Sequence, residues 1–547
     1  MRSHWKNRTI VKQCTAPILA AAALFVACER DRELTPTASP TADLVQMPAE
    51  VQELLKLQLE RFSTMPMLLT ADFLGLTEIQ GKPTKPQTQD TRGSPKRLID
   101  VPIANTTADE NEPSVATSTK DKKLVVVGNH RITGTVRCEA RHSSDGGMSW
   151  SAPVTMPQLT PTSQCSDPVL AWSPDGSTVY YAYMDIKFFT GPPFFDFDII
   201  VSRSTDDGAT WSAPVVALDG LAGVFIYDKP WIGMADDAVN FVYVTATRFD
   251  QTGVGFCQIA FTRSTDAGAS YAAPTTLDMS TAGCGVGPSP IVQGSRPSGG
   301  KNGNVLVAWF NSGTDGWLTG SFQIRTRHSA DNGATFDPIV IAATDAFEAP
   351  FFLGPNICYE RWWPVMFPDV EIDASGSAHV GYTHDPTADH LTAEEGDIRY
   401  VTSTGAPYTS WSAPITVNDD GTVSAQGFLA LDTQTEQTGQ SARLHATWLD
   451  HRLSASSGAA SQCPFTVDVN NLLYDIFYST KPPGEGWSAN NRVTDASSRS
   501  DFFFLGDYID LSTDNGSLYT VWTDRRDKLS IFDLEDDVWG SRTHQIQ

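Results

Sequence analysis

From about residue 96 onward, hydrophobic and polar positions alternate in short runs separated by turn residues. The stretch "EPSVATSTKDKKLVVVGNHR" is the first of seven similar pairs, each made of two apolar-rich runs around a polar turn. "DPVLAWSPDGSTVYYAYMD", "DKPWIGMADDAVNFVYVTATR" and "PSPIVQGSRPSGGKNGNVLVAWFN" come next. "FPDVEIDASGSAHVGYTHD", "GFLALDTQTEQTGQSARLHATWLDHR" and "FLGDYIDLSTDNGSLYTVWTDRR" complete the set. Runs of this length and alternation predict strands, and the turns between them predict hairpins. A third strand, such as "DIIVSR" or "QIAFTR", precedes a recurrent turn. Four segments share the pattern Ser-x-Asp-x-Gly-x-Ser/Thr-aromatic: Ser143 to Trp150, Ser204 to Trp211, Ser264 to Tyr271 and Ser329 to Phe336. Weaker versions stand at 403–414 and 479–489. In such a turn the aspartate accepts backbone N–H bonds, glycine supplies positive φ, and the aromatic ring fills the space beneath.

Seven units spaced by about 60 residues predict an all-β chain folded as a seven-bladed propeller of four-stranded blades, with a six-bladed form as the alternative. The last unit has a third strand, "DVWGSRT", and then the chain ends. Its fourth strand is expected from "KRLIDVPIA" (96–104), so that the two chain ends close the ring and leave no open edge.

The first 95 residues lack this rhythm. Arg2, Lys6, Arg8 and Lys12 precede the apolar run "APILAAAALFVAC", too short to span a bilayer and flanked like a secretory signal. "FVAC" resembles the lipobox of bacterial lipoproteins, which implies a signal peptide over 1–27, lipidation of Cys28 and an outer-membrane or cell-surface location. Residues 28–95, with "ELTPTASPTAD" and "GKPTKPQTQDTRGSPKR", read as a tether. Val51, Leu54, Leu55 and Leu59 predict one short helix within it. Residues 96–547 form the propeller body. The net charge of −25 argues against nucleic acid as a partner, and it requires a local arginine cluster wherever an anionic ligand is held. A monomer is expected, touching the membrane through its lipid alone.

The Asp-boxes, "NEPSVA" and "GDYIDL…VWTDRR" resemble the sialidase-like (BNR/Asp-box repeat) propeller superfamily over roughly residues 105–545. That resemblance implies an exo-glycosidase acting on terminal sialic acid or a related acidic sugar, with an arginine clamp for the carboxylate and a tyrosine nucleophile. Carried onto this chain, it makes Tyr508 the nucleophile, Glu360 its base, and Asp167 or Asp228 the acid. Arg131, Arg248, Arg361, Arg452 and Arg525 are the candidate clamp, with Glu112 and Asp507 beside them at the funnel. Glu112 stands where the superfamily carries arginine. Two other functions fit the same scaffold: a non-catalytic propeller that binds glycans or proteins, and a polysaccharide lyase using His130 or His384. No cofactor and no metal motif are expected, although the funnel acids offer oxygen ligands to a structural Ca²⁺.

Six cysteines follow Cys28, and fifteen pairings are open to them. Their places on the strand map predict Cys138–Cys165 and Cys257–Cys284, both separated by 27 residues, and Cys358–Cys463 between two long insertions.

Overall fold

The computed structural model describes residues 100–544 apart from 253–254, 281–282, 285–289, 313–320, 346–366, 387–395, 423, 436–441, 454–472, 500–504, 515–516 and 527–535. The expected leader, Cys28, the tether and its helix lie outside the described residues, as do Cys358, Glu360, Arg361 and Cys463.

Seven antiparallel sheets form the body, and their first strands contact one another in a closed ring. The protein is a seven-bladed β-propeller, which settles the choice against six blades. Blades 1 to 6 begin with Ser114–Thr117, Gln164–Trp172, Phe225–Met234, Val292–Gly299, Asp369–Ile372 and Gln426–Thr435. Blade 7 runs Asp510–Asp514, Ser517–Asp524 and Asp537–His544, and its outermost strand is Asp100–Ala104, paired antiparallel to Asp537–His544. The N-terminal strand therefore closes the wheel where the sequence places it.

Innermost strands have backbone N–H groups that no fifth strand pairs. Side chains of neighbouring blades satisfy them: Ser114 Oγ accepts from Leu170 N (3.0 Å), Ser298 Oγ from Ile372 N (2.9 Å), Asp369 from Leu431 N (2.8 Å) and Asp510 from Val115 N (2.9 Å). A buried amide left unpaired costs about 1–3 kcal/mol, so these caps help fix the order of the ring.

The Asp-boxes sit where third strands end. Asp145 Oδ1 accepts from Met148 N (2.9 Å) and Ser149 N (3.0 Å), and Ser143 Oγ accepts from Gly147 N (2.8 Å). Asp206, Asp266 and Asp331 each accept the backbone N–H four residues on, at 2.8–2.9 Å. Each box also staples two blades together. A Cβ on Gly147 would lie 2.1 Å from Tyr519 of blade 7, and one on Gly333 would lie 2.5 Å from Phe261 of blade 3. Arg203 and Arg263, each just before a box serine, donate to carbonyls in the following blade's box.

Candidate functional site at the axial mouth

First strands start on the face opposite the boxes, and there a bulge recurs. In blades 2, 3, 4 and 6 two residues oppose one, between Ser166 and Val169, Asp228 and Trp231, Gln293 and Arg296, and Gly427 and Ala430. The bulged residues Asp167, Lys229, Gly294 and Phe428 have φ of 49°, 54°, 67° and 53°, and Glu112 of blade 1 has 49°. Left-handed backbone strains any residue but glycine. Proline follows Glu112, Asp167 and Lys229, so no N–H is lost at the bulge. Three successive blades thus present a charged side chain from the same unusual conformation.

Those side chains meet. Lys229 Nζ lies 2.9 Å from Asp167 Oδ1 and 3.4 Å from Asp507 Oδ2. Glu112 Oε1 accepts the Asp507 N–H at 3.0 Å, and Oε2 lies 3.4 Å from His130 Nδ1. His130 Nε2 accepts from Asp167 N (3.0 Å), which leaves the ring proton on Nδ1, 3.1 Å from Asn111 Oδ1. Glu112 and His130 are wholly buried, and Lys229 is 4% exposed. Burial raises the Glu112 pKa, Lys229 offsets part of that, and Asp167 and Asp507 add to it, so its carboxyl stays well above the usual range. Burial and then Lys229 push His130 down to about 3, so it is neutral. For Lys229 burial opposes the charge, but Asp167, Asp507 and Glu112 outweigh it and hold the ammonium above the ordinary lysine range.

Glu112, Asp167 and Asp507 each bring one oxygen within 4.8 Å of the others, the spacing of a cation site. The ammonium of Lys229 already contacts two of the three, so the described cluster carries its own cation.

Tyr508 crosses the axis. It belongs to blade 7, yet its hydroxyl donates to Pro168 O of blade 2 (2.7 Å) and its ring meets Trp231 of blade 3 edge-on at 5.6 Å. Lys229 lies 4.3 Å from its ring centroid, and Arg296 of blade 4 lies 3.6 Å from that of Trp231. Blades 7 and 3 are not neighbours in the ring, so this layered stack of cations and rings ties together blades that no strand pairing joins. Burial, then Glu112 and Asp167, push the Tyr508 phenol well above its ordinary pKa. A nucleophile needs the opposite shift.

The remaining candidates are dispersed. Asp228 is fully buried and accepts from Gln293 Nε2 (3.3 Å). Arg131 faces Glu139 at 3.7 Å within blade 1, and Arg248 pairs with Asp250 at 3.1 Å within blade 3. Arg452 binds Asp450 (2.8 Å), Asp419 (2.9 Å) and Asp420 (3.3 Å), and Arg525 binds Asp536 with no exposed surface. The four clamp candidates among the described residues thus face carboxylates in separate parts of the ring. His384 of blade 5 lies 3.4 Å from Asp345 of blade 4, away from His130 of blade 1. The structure contains Cys138–Cys165 and Cys257–Cys284, which pin chain segments on the mouth side of blades 1–2 and 3–4.

Sequence reading placed Glu112, Asp167, Asp507 and Tyr508 at the axis and missed Trp231 and Arg296. Its overlooked signal was the recurrence of a charged residue before proline at Glu112-Pro113, Asp167-Pro168 and Lys229-Pro230.

No family model matches the chain, and no curated protein does. Among solved structures it is similar to a protein of unknown function from Dyadobacter fermentans, at 17% identity over 65% of this chain and 94% of that one, TM-score 0.41. It is similar to the α-L-arabinofuranosidase Arb93A from Fusarium graminearum, at 11% identity over 81% and 97%, TM-score 0.41. A Trypanosoma rangeli sialidase is similar at 11% identity over 82% and 60%, TM-score 0.41. Likenesses this distant carry no argument about activity, and the fold assignment rests on the strand pairing.

Proposed function

We propose that this chain is a glycan-recognising propeller, held at a bacterial surface by lipid on Cys28, and that its axial charges hold the ring together rather than hydrolyse a substrate. One observation carries the reading: Tyr508, the residue best placed by sequence for nucleophilic attack, spans the wheel and spends its hydroxyl on Pro168 O. The Asp167 acid is tied to Lys229; of the clamp candidates among the described residues, Arg248, Arg452 and Arg525 pair closely with carboxylates of their own surroundings, and Arg131 faces Glu139 at 3.7 Å. The superfamily resemblance of the Asp-boxes supports a carbohydrate partner, and the acidic charge disfavours nucleic acid.

A second reading, an exo-glycosidase of sialidase type, is favoured by one feature: Glu112 keeps its proton beside carboxylates bound by Lys229, the environment of a general acid. The full chain is tested on fluorogenic sialosides, glucuronides and arabinofuranosides, with Tyr508→Phe alongside, and on a glycan array. Array binding without fluorophore release is expected. Release that Tyr508→Phe or Glu112→Gln abolishes, in protein that still melts cooperatively, overturns the proposal in favour of the hydrolase.

A further inference from the structure

On the box face, between blades 2 and 3, lies a cavity of about 410 Å³ lined by Tyr180, Arg203, Thr205, Trp211, Ala267 and their neighbours. The junction one blade later carries Phe241, Tyr271 and Asn332 where this one has Thr178, Trp211 and Ala267, and the last difference removes a polar contact. Tyr180 pairs with Arg203 across its hairpin, as Tyr243 pairs with Arg263 one blade later. At the later junction the third residue after the box serine is Asn332, and Tyr243 donates to its side chain at 3.2 Å. At the earlier junction the equivalent residue is Ala267, whose methyl offers Tyr180 nothing. The backbone is the same at both, with φ of 56° and 57°. Arg203 still reaches the next box, giving one N–H to Ala267 O at 2.6 Å.

We propose that this cavity binds a carboxylate-bearing monosaccharide unit; the inference rests on the glycan-recognition reading and gives it a place and a ligand class. The volume suits one sugar ring. Trp211, partly exposed, supplies aromatic surface for its C–H face. Arg203 is the cation among the lining residues, and a guanidinium with one of five N–H groups engaged keeps donors for a carboxylate. The box aspartate Asp206 is spent on its own turn: Oδ1 accepts from Ser204 and Thr210 N, and Oδ2 from the Thr210 hydroxyl. In a chain of net charge −25, a site for an anion has to be made locally, and this one is.

Ala267→Asn is the decisive variant, because it rebuilds the Asn332–Tyr243 contact at Tyr180 and asparagine tolerates this backbone better than alanine. Titrations of N-acetylneuraminic acid, glucuronic acid and galactose by calorimetry and ligand-observed NMR are read beside melting curves and the glycan array. The inference expects both acids to bind the wild type, galactose to bind at least about tenfold more weakly, and Ala267→Asn to lose the acids without a fall in melting temperature. Arg203→Gln weakens the acids selectively. Equal affinity of Ala267→Asn and wild type, equal affinity for galactose, or no acid binding to the wild type overturns the site. Array binding that survives Ala267→Asn removes the site and leaves the glycan reading intact, whereas an empty array with wild type removes the reading itself.

Discussion

The two faces of this wheel use carboxylates in opposite ways. At the box face Asp145 and Asp266 stand in solvent, and hydrogen bonds led by Ser149 and Ser270 hold them down at about 2. At the mouth Glu112 is shut away from water and driven upward by burial. An exposed aspartate with donors a few residues away needs only its own turn, so the motif is local and repeats wherever the turn does. A buried carboxylate needs compensation from other blades. Glu112 borrows from blade 3 (Lys229) and blade 7 (the Asp507 N–H), and it is stable only when the ring is closed. Local chemistry organises the outer turns, and non-local charge holds the centre.

The contrast breaks most sharply at Lys229. Lys229→Met leaves Asp167 and Asp507 without the cation they share, which is expected to cost about 3–5 kcal/mol and to lower the denaturation midpoint more than any box substitution. Retained stability would mean that the mouth is not organised by charge. A smaller effect is expected from Gly147→Ala, where φ is 83° and the new methyl meets Tyr519; about 1–3 kcal/mol is predicted, measured by urea unfolding. A loss below a few tenths would show that box and neighbouring blade are not stapled together.

The smallest effect is the most diagnostic of sign. Burial holds Glu110 at about 7, Asp185 at about 6 and Asp510 at about 6, above their unfolded values. These groups bind more protons folded than unfolded, so their stabilising contribution is present at low pH and is lost as pH rises through the folded values. His130 and His445, both held at about 3, oppose this, and with Glu112 the buried carboxylates outnumber them. Below about pH 4 the box aspartates begin to lose their depressed-pKa contribution, which is gone near pH 2. Melting temperature should therefore peak between about pH 4 and 6 and fall on both sides. A steady rise from pH 5 to 8 would contradict the assignment of the buried carboxylates.

Much of this fold is legible in the sequence, for a physical reason. Strand alternation and the Asp-box are short-range patterns, so blade number, the closing N-terminal strand and the disulfides Cys138–Cys165 and Cys257–Cys284 follow from counting. The axial positions of Glu112, Asp167, Asp507 and Tyr508 are legible too, because every first strand starts on the same face. Their roles are not. Whether Tyr508 attacks a sugar or bonds to Pro168 O depends on how far it reaches across a wheel whose diameter no motif states. The arginines show the same limit: Arg452 beside Asp450 and Arg525 beside Asp524 look alike in sequence, yet Arg452 also reaches Asp419 and Asp420 between blades 5 and 6, whereas Arg525 takes Asp536 of its own blade. The cavity at Ala267 is legible only afterwards, when blade 4 supplies Asn332 for comparison.

Structural keystone and ligand site separate most cleanly in one experiment: Lys229→Met, with its melting curve and its glycan-array profile recorded on the same sample below the transition. A large drop in melting temperature with an unaltered array profile is the predicted result. An unshifted melting curve, coupled with disappearance of carbohydrate binding or of glycoside turnover, would place the ligand at the axis and contradict the division of labour between the two faces.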